Sequence, residues 1–81
     1  MHFAAFKTDA PLNHLARALD ELARAGFSLG AVNVAAGSSS ADVRIDFSGT
    51  GSVPAETYVA RLEKMPGVFA ISGSSSRDVE I

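Results

Sequence analysis

The sequence predicts one α+β domain: an antiparallel sheet carrying two helices on a single face, in the order strand, helix, strand, strand, helix, strand, with a trailing strand. Three observations predict it. Leu12, Leu15, Leu19 and Leu22 recur at helical spacing between Asp9-Ala10-Pro11 and Gly26. Val43, Ile45 and Phe47 alternate with Asp42, Arg44, Asp46 and Ser48. "GSSSADVRI" (Gly37–Ile45) returns 36 residues later as "GSSSRDVEI" (Gly73–Ile81), with seven of nine positions matching, each copy following a helix, a glycine stop and a strand.

The elements follow in order. "HFAAFKT" (residues 2–8) is short, apolar and closed by Asp-Ala-Pro, a strand signature. The first helix then opens at Asp9, whose carboxylate is expected to cap the free N–H groups of the first turn, with Pro11 where no donor is needed. Its leucine stripe makes one apolar face, Arg17, Asp20, Glu21 and Arg24 fall largely off it, and Gly26 supplies the left-handed stop. "SLGAVNVAAG" puts Val32 and Val34 on one face and Ala31, Asn33 and Ala35 on the other. "ADVRIDFSG" alternates more strictly, which means one buried and one wet face. Gly37–Ser40 between them has turn composition, so the two strands form a hairpin.

"SVPAETYVARLEKMPG" is the second helix, with Ser52 as its expected cap and Ala55, Tyr58, Val59, Leu62 and Met65 as its apolar face; Pro66-Gly67 ends it. "VFAIS" (residues 68–72) is a strand, the second GSSS a second turn, and "RDVEI" a last strand with Val79 and Ile81 facing in. Two helices with one apolar stripe each, joined by right-handed crossovers, settle most simply as a ferredoxin-like βαββαβ(β) arrangement. Duplication and convergence both account for the GSSS repeat, since Gly/Ser turns are common.

Composition narrows the function. At 81 residues the chain is a single domain, residues 1–81, with a marginal core. Without cysteine it has no disulfide or thiolate staple, which leaves oligomerisation or attachment to a larger protein as support. His2 and His14 are too few for a metal set, and no cofactor motif is present. Net charge is −2 and the seven basic residues are scattered, which argues against nucleic acid. No apolar run approaches the ~20 residues of a membrane span. The chain is compatible with an excised piece of a longer protein.

No catalytic constellation stands out. His14 lies near Asp20 and Glu21, but a lone histidine just inside a helix start is ordinarily a surface residue. Ser38–Ser40 and Ser74–Ser76 have no histidine base nearby in sequence. Gly49-Thr50-Gly51-Ser52 lacks the Lys-Ser/Thr pair of a phosphate loop.

"FKTDAPLNHLARALDELARAGFSLGAVNV" followed by "LEKMPGVFAI" resembles an ACT domain, the small-molecule regulatory module of many metabolic enzymes. The matching residues are Asp9, Pro11, Leu15, Leu19, Leu22, Gly26-Phe27-Ser28-Leu29 and Pro66-Gly67-Val68. Where that family has glycine after the proline, letting a ligand approach backbone at a dimer interface, Leu12 and Asn13 stand here. The resemblance implies a non-enzymatic, cytoplasmic domain that pairs with itself and binds a small effector at Asp9, Ala10, Leu12, Asn13 and His14. The C-terminal five-sixths also resembles the ferredoxin-like assembly domains of type II secretion and type IV pilus inner-membrane platform proteins, which implies a periplasmic module with related protein partners. The leading strand fits that family less well.

Both resemblances describe a domain that works by association. "SLGAVNVAA" carries no charge from Ser28 to Ala36, so it lacks the usual protection of an edge strand. Its Ala31, Asn33 and Ala35 are small enough for close approach, and a homodimer through this strand is expected.

Overall fold

The computed structural model describes residues 1–74. The chain runs β1 (His2–Thr8), α1 (Pro11–Ala25), β2 (Ser28–Ala36), β3 (Ala41–Ser48), α2 (Ala55–Glu63) and β4 (Val68–Gly73). The strands form one antiparallel sheet of order β2-β3-β1-β4. This is the ferredoxin-like βαββαβ fold, with both helices on one face of the sheet. The last strand expected over Arg77–Ile81 lies outside the described residues.

Strict alternation decides which way the sheet faces. Val43, Ile45 and Phe47 are almost fully buried, and they meet Ala4, Phe6, Leu22, Tyr58 and Leu62 in a single core. Each large apolar side chain withdrawn from water contributes about 1.5–3 kcal/mol. His2, Phe27, Phe47 and Tyr58 close one end of that core, with Phe47–Tyr58 and Phe27–Phe47 packed edge to face at 5.1 Å. The helices are tied together by the Tyr58 hydroxyl, which donates to the Ala18 carbonyl at 2.8 Å.

Gly26 ends α1 as the sequence predicts. Its φ is +89°, and the turn is closed by Gly26 N–H on Ala23 O (3.0 Å) and Phe27 N–H on Leu22 O (3.3 Å). The N-terminal caps differ from expectation. Asp9 does not cap α1: the cap position is Ala10, whose N–H is taken by Thr8 Oγ1 at 2.9 Å. Ser52 does not cap α2: its N–H donates back to Ala25 O at 2.7 Å, and the helix starts after an extended Pro54. Both helices therefore begin without a side-chain cap of their own.

The buried face of α1 is rotated from the leucine stripe. Ala18, Leu22 and Ala25 are buried, Leu15 and Leu19 are partly buried, and Leu12 is 83% exposed. At 3.6 residues per turn, Leu12 lies roughly 110° round the helix from the centre of the buried face. The small Ala18 and Ala25 let the helix approach the sheet, which moves the contact line away from Leu12.

The opening residues of the two GSSS copies occupy different places. Gly37 lies beyond the end of β2 and donates to Ser40 O at 2.8 Å, closing the hairpin. Gly73 is still inside β4 opposite Ala4, and Ser74 continues the ladder by donating to Phe3 O at 2.9 Å.

Candidate functional site

The β1–α1 junction is built around Thr8, the last residue of β1 and fully buried. Its hydroxyl accepts from Ala10 N–H and bonds His14 Nδ1, so one side chain fixes both the turn and the first helical residues. His14 N–H also donates to Ala10 O at 3.0 Å. The imidazole covers the turn between α2 and β4. A Cβ at Gly67 would stand 2.8 Å from His14 Cε1 and 3.4 Å from Asp9 Oδ1, and Gly67 has φ +91°. Only glycine fits there without moving the ring.

A shallow cleft of about 260 Å³ lies between this junction and the β2–β3 turn. Thr8, Asp9 and Pro11 form one wall, and the Gly37–Ser40 turn forms the other. Asp9 supplies an exposed carboxylate and Ser38 and Ser39 exposed hydroxyls, a set that suits a ligand carrying an amine or hydroxyl donors. Of the five residues expected to hold an effector, the cleft gathers Asp9. Leu12, Asn13 and His14 do not line it: Leu12 and Asn13 are in solvent, and His14 turns toward Thr8 and Gly67. Ala10 stands between them at the cap position. Thr8 and Gly67 are the junction residues that sequence reasoning passes over. Thr8 carried a local signal, a hydroxyl two residues before an unpaired helix-start N–H. Gly67 carried only the Pro-Gly turn, with nothing to show its nearness to His14.

On the helix-free face, Ala31, Asn33 and Ala35 of β2 are exposed beside Asp46, Arg44 and Asp42 of β3. Asn33 and Ala35 border a trough of about 300 Å³ floored by Ala5, Ala70 and Ser72. Lys7 and Asp42 pair across it at 2.7 Å, and Arg44 lies 4.4 Å over the Phe3 ring while pairing with Asp46 at 3.1 Å. These opposite charges cancel, and exposed pairs of this kind contribute little to stability. Burial, with Glu21 adding to it, pushes the Tyr58 phenol above its ordinary range, which suits a core hydroxyl and not a proton donor to substrate. Among the described residues no group of three or more His, Cys, Asp or Glu side chains gathers to hold a metal ion, and no helix is long and apolar enough to cross a membrane.

No protein-family model matches the chain, and no curated protein matches it. Among solved structures it is similar to the C-terminal domain of the MgtC protein from Mycobacterium tuberculosis, with a TM-score of 0.76 and 20% identity over 90% of this chain and 83% of that one. It is also similar to the ACT domain from GTP pyrophosphokinase of Chlorobium tepidum, with a TM-score of 0.70 and 10% identity over 90% of this chain and 95% of that one. At these identities the likeness is one of fold: the chain has the ACT-like form of the ferredoxin-like fold.

Proposed function

We propose that the chain is a non-catalytic association and regulatory domain, which pairs with a second copy of itself and takes a small effector at the β1–α1 end. The observation that carries this reading is the outer edge of β2. Among the described residues nothing pairs with that edge, and no charge guards it from Ser28 to Ala36. The cleft beside Asp9 opens next to the same strand's C-terminal end, where Ala36 and the Gly37–Ser40 turn form its far wall. The reading as a secretion or pilus platform module is less favoured: β1, the strand that fits it poorly, is interior to the sheet and paired on both sides.

Two measurements test the proposal. Sedimentation velocity at rising protein concentration should show a dimer, and a monomer throughout overturns the association half. Thermal-shift screening against amino acids and nucleotides should find a stabilising compound, since a ligand at a hundred times its Kd adds roughly 2.7 kcal/mol. A dimer that no compound in the screen shifts overturns the effector half and leaves pure assembly.

A further inference from the structure

We infer that two copies pair β2 against β2 in the single register that sets Val34 on the two-fold axis, an inference that rests on the association reading above. The backbone of β2 determines which groups are on offer. Gly37 N–H reaches Ser40 O, so the Gly37–Ser40 pair is a hydrogen-bonded one, and the pairs alternate back along the hairpin from there. Ala35, Asn33 and Ala31 therefore spend their N–H and C=O groups on β3, opposite Asp42, Arg44 and Asp46. Ala36, Val34 and Val32 turn theirs outward. Regular spacing stops at Gly30, where the register with β3 shifts and a Cβ would lie 3.1 Å from Asp46 O.

A second copy satisfies all three outward residues in one register only. Val34 then faces the partner's Val34, and Val32 faces the partner's Ala36 in both directions, each pair exchanging both of its hydrogen bonds. Moving the axis to Asn33 leaves Ala36 opposite the partner's Gly30, in the bulge. Moving it to Val32 spends Val34 on that bulge. Charge favours a copy of the same strand over another partner. A strand that pairs with itself across a two-fold axis sets its own charges against each other, and β2 has none from Ser28 to Ala36. The axis also covers Val34, 46% exposed on the helix side although it stands opposite the buried Val43. In the same register Leu29, the other large exposed apolar side chain of this strand, lies toward the partner's Gly37–Ser40 turn. Among the described residues β4 is the second edge, but its pairing with β1 is broken by a bulge and Ala70 has φ +53°, so its outward groups are not evenly spaced.

The chain has no cysteine, so single Val32→Cys, Asn33→Cys, Val34→Cys and Ala35→Cys variants each carry one thiol for oxidative cross-linking. Facing Cα atoms in a hydrogen-bonded antiparallel pair are about 5.5 Å apart, within disulfide reach, so Val34→Cys should cross-link about tenfold faster than Val32→Cys. The rate should fall away on both sides of position 34. A maximum at 32, 33 or 35, or a flat profile, in a protein that still dimerises overturns the register and leaves the association reading standing. A wild-type chain that sediments as a monomer overturns the association reading itself. Val34→Lys, at a half-exposed position, should leave the circular dichroism spectrum unchanged and weaken dimerisation at least about tenfold by placing like charges together on the axis. A Val34→Lys protein that is folded and dimerises as well as wild type also overturns the register.

Discussion

The hydroxyl of Tyr58 in α2 donates to the carbonyl of Ala18 in α1 at 2.8 Å, a bond between residues 40 apart that closes the helix layer over the sheet. Both residues are almost fully buried. The ring also packs against Phe47, so this tyrosine joins helix to helix and helix to sheet.

Removing the hydroxyl tests the bond alone. Tyr58→Phe keeps the ring and should lower stability by about 1 kcal/mol, the net worth of a typical internal hydrogen bond. On a domain of this size that corresponds to a fall in Tm of about 4–8 °C. Urea titration followed by circular dichroism gives the value, and no change would mean that water replaces the bond without loss.

The same residue sets an alkaline limit. The folded phenol is raised above the unfolded value of about 10 by burial and by Glu21, so the folded state holds its proton after the unfolded chain has released it. That contribution is complete below pH about 10 and declines as pH rises toward the folded value. Wild-type stability should fall above pH about 10, and the Tyr58→Phe protein should lose less over the same range. Parallel pH–stability curves for the two proteins would contradict this.

Gly67 and His14 form a second testable pair. Gly67→Ala places a Cβ against the imidazole at a φ of +91° and should cost more than about 1–2 kcal/mol. Truncating the ring removes the clash but not the backbone strain. The double variant Gly67→Ala/His14→Ala should therefore be less destabilised than the sum of the two singles. Strict additivity would show that the ring and the turn are independent.

The α1 face can be checked by two leucines. Leu22→Ala should cost about 2–5 kcal/mol, as expected for a buried leucine. Leu12→Ala should stay within about 0.5 kcal/mol, because its side chain already stands in water. Equal losses at the two positions would restore the orientation that the leucine spacing alone suggests.

Ala70 holds a left-handed backbone conformation, φ +53°, in the β4 bulge. Glycine adopts that conformation without a Cβ penalty, so Ala70→Gly should raise stability by about 0.5–1 kcal/mol. A loss of stability would mean that the methyl group packs in the trough beside Ala5 well enough to outweigh the strain.

What the sequence made legible were the features with a long, regular period. The Val43–Ile45–Phe47 alternation named the buried face of β3, and Tyr58 and Leu62 named that of α2, with Met65 buried just past its end. The helix starts were not legible, because capping is a contest between neighbours. Thr8 reached the Ala10 N–H ahead of Asp9, and Ser52 was tied to the end of α1. Leu12 was misplaced because apolar spacing defines a stripe wider than the contact that tertiary packing uses. At the candidate site, Asp9 was visible as a polar residue at a strand–helix junction. The nearness of His14 to Gly67 joins residues far apart in the chain, and no local pattern records it.

The placement of β1 has a consequence for how the chain is made. It emerges from the ribosome ahead of both strands that flank it, and its last neighbour, β4, begins sixty residues after Thr8. Until then β1 is paired only on its β3 side, and the edge that β4 will cover is open. A released chain that stops before Val68 should therefore be held by holdase chaperones, and one that extends through Gly73 should not.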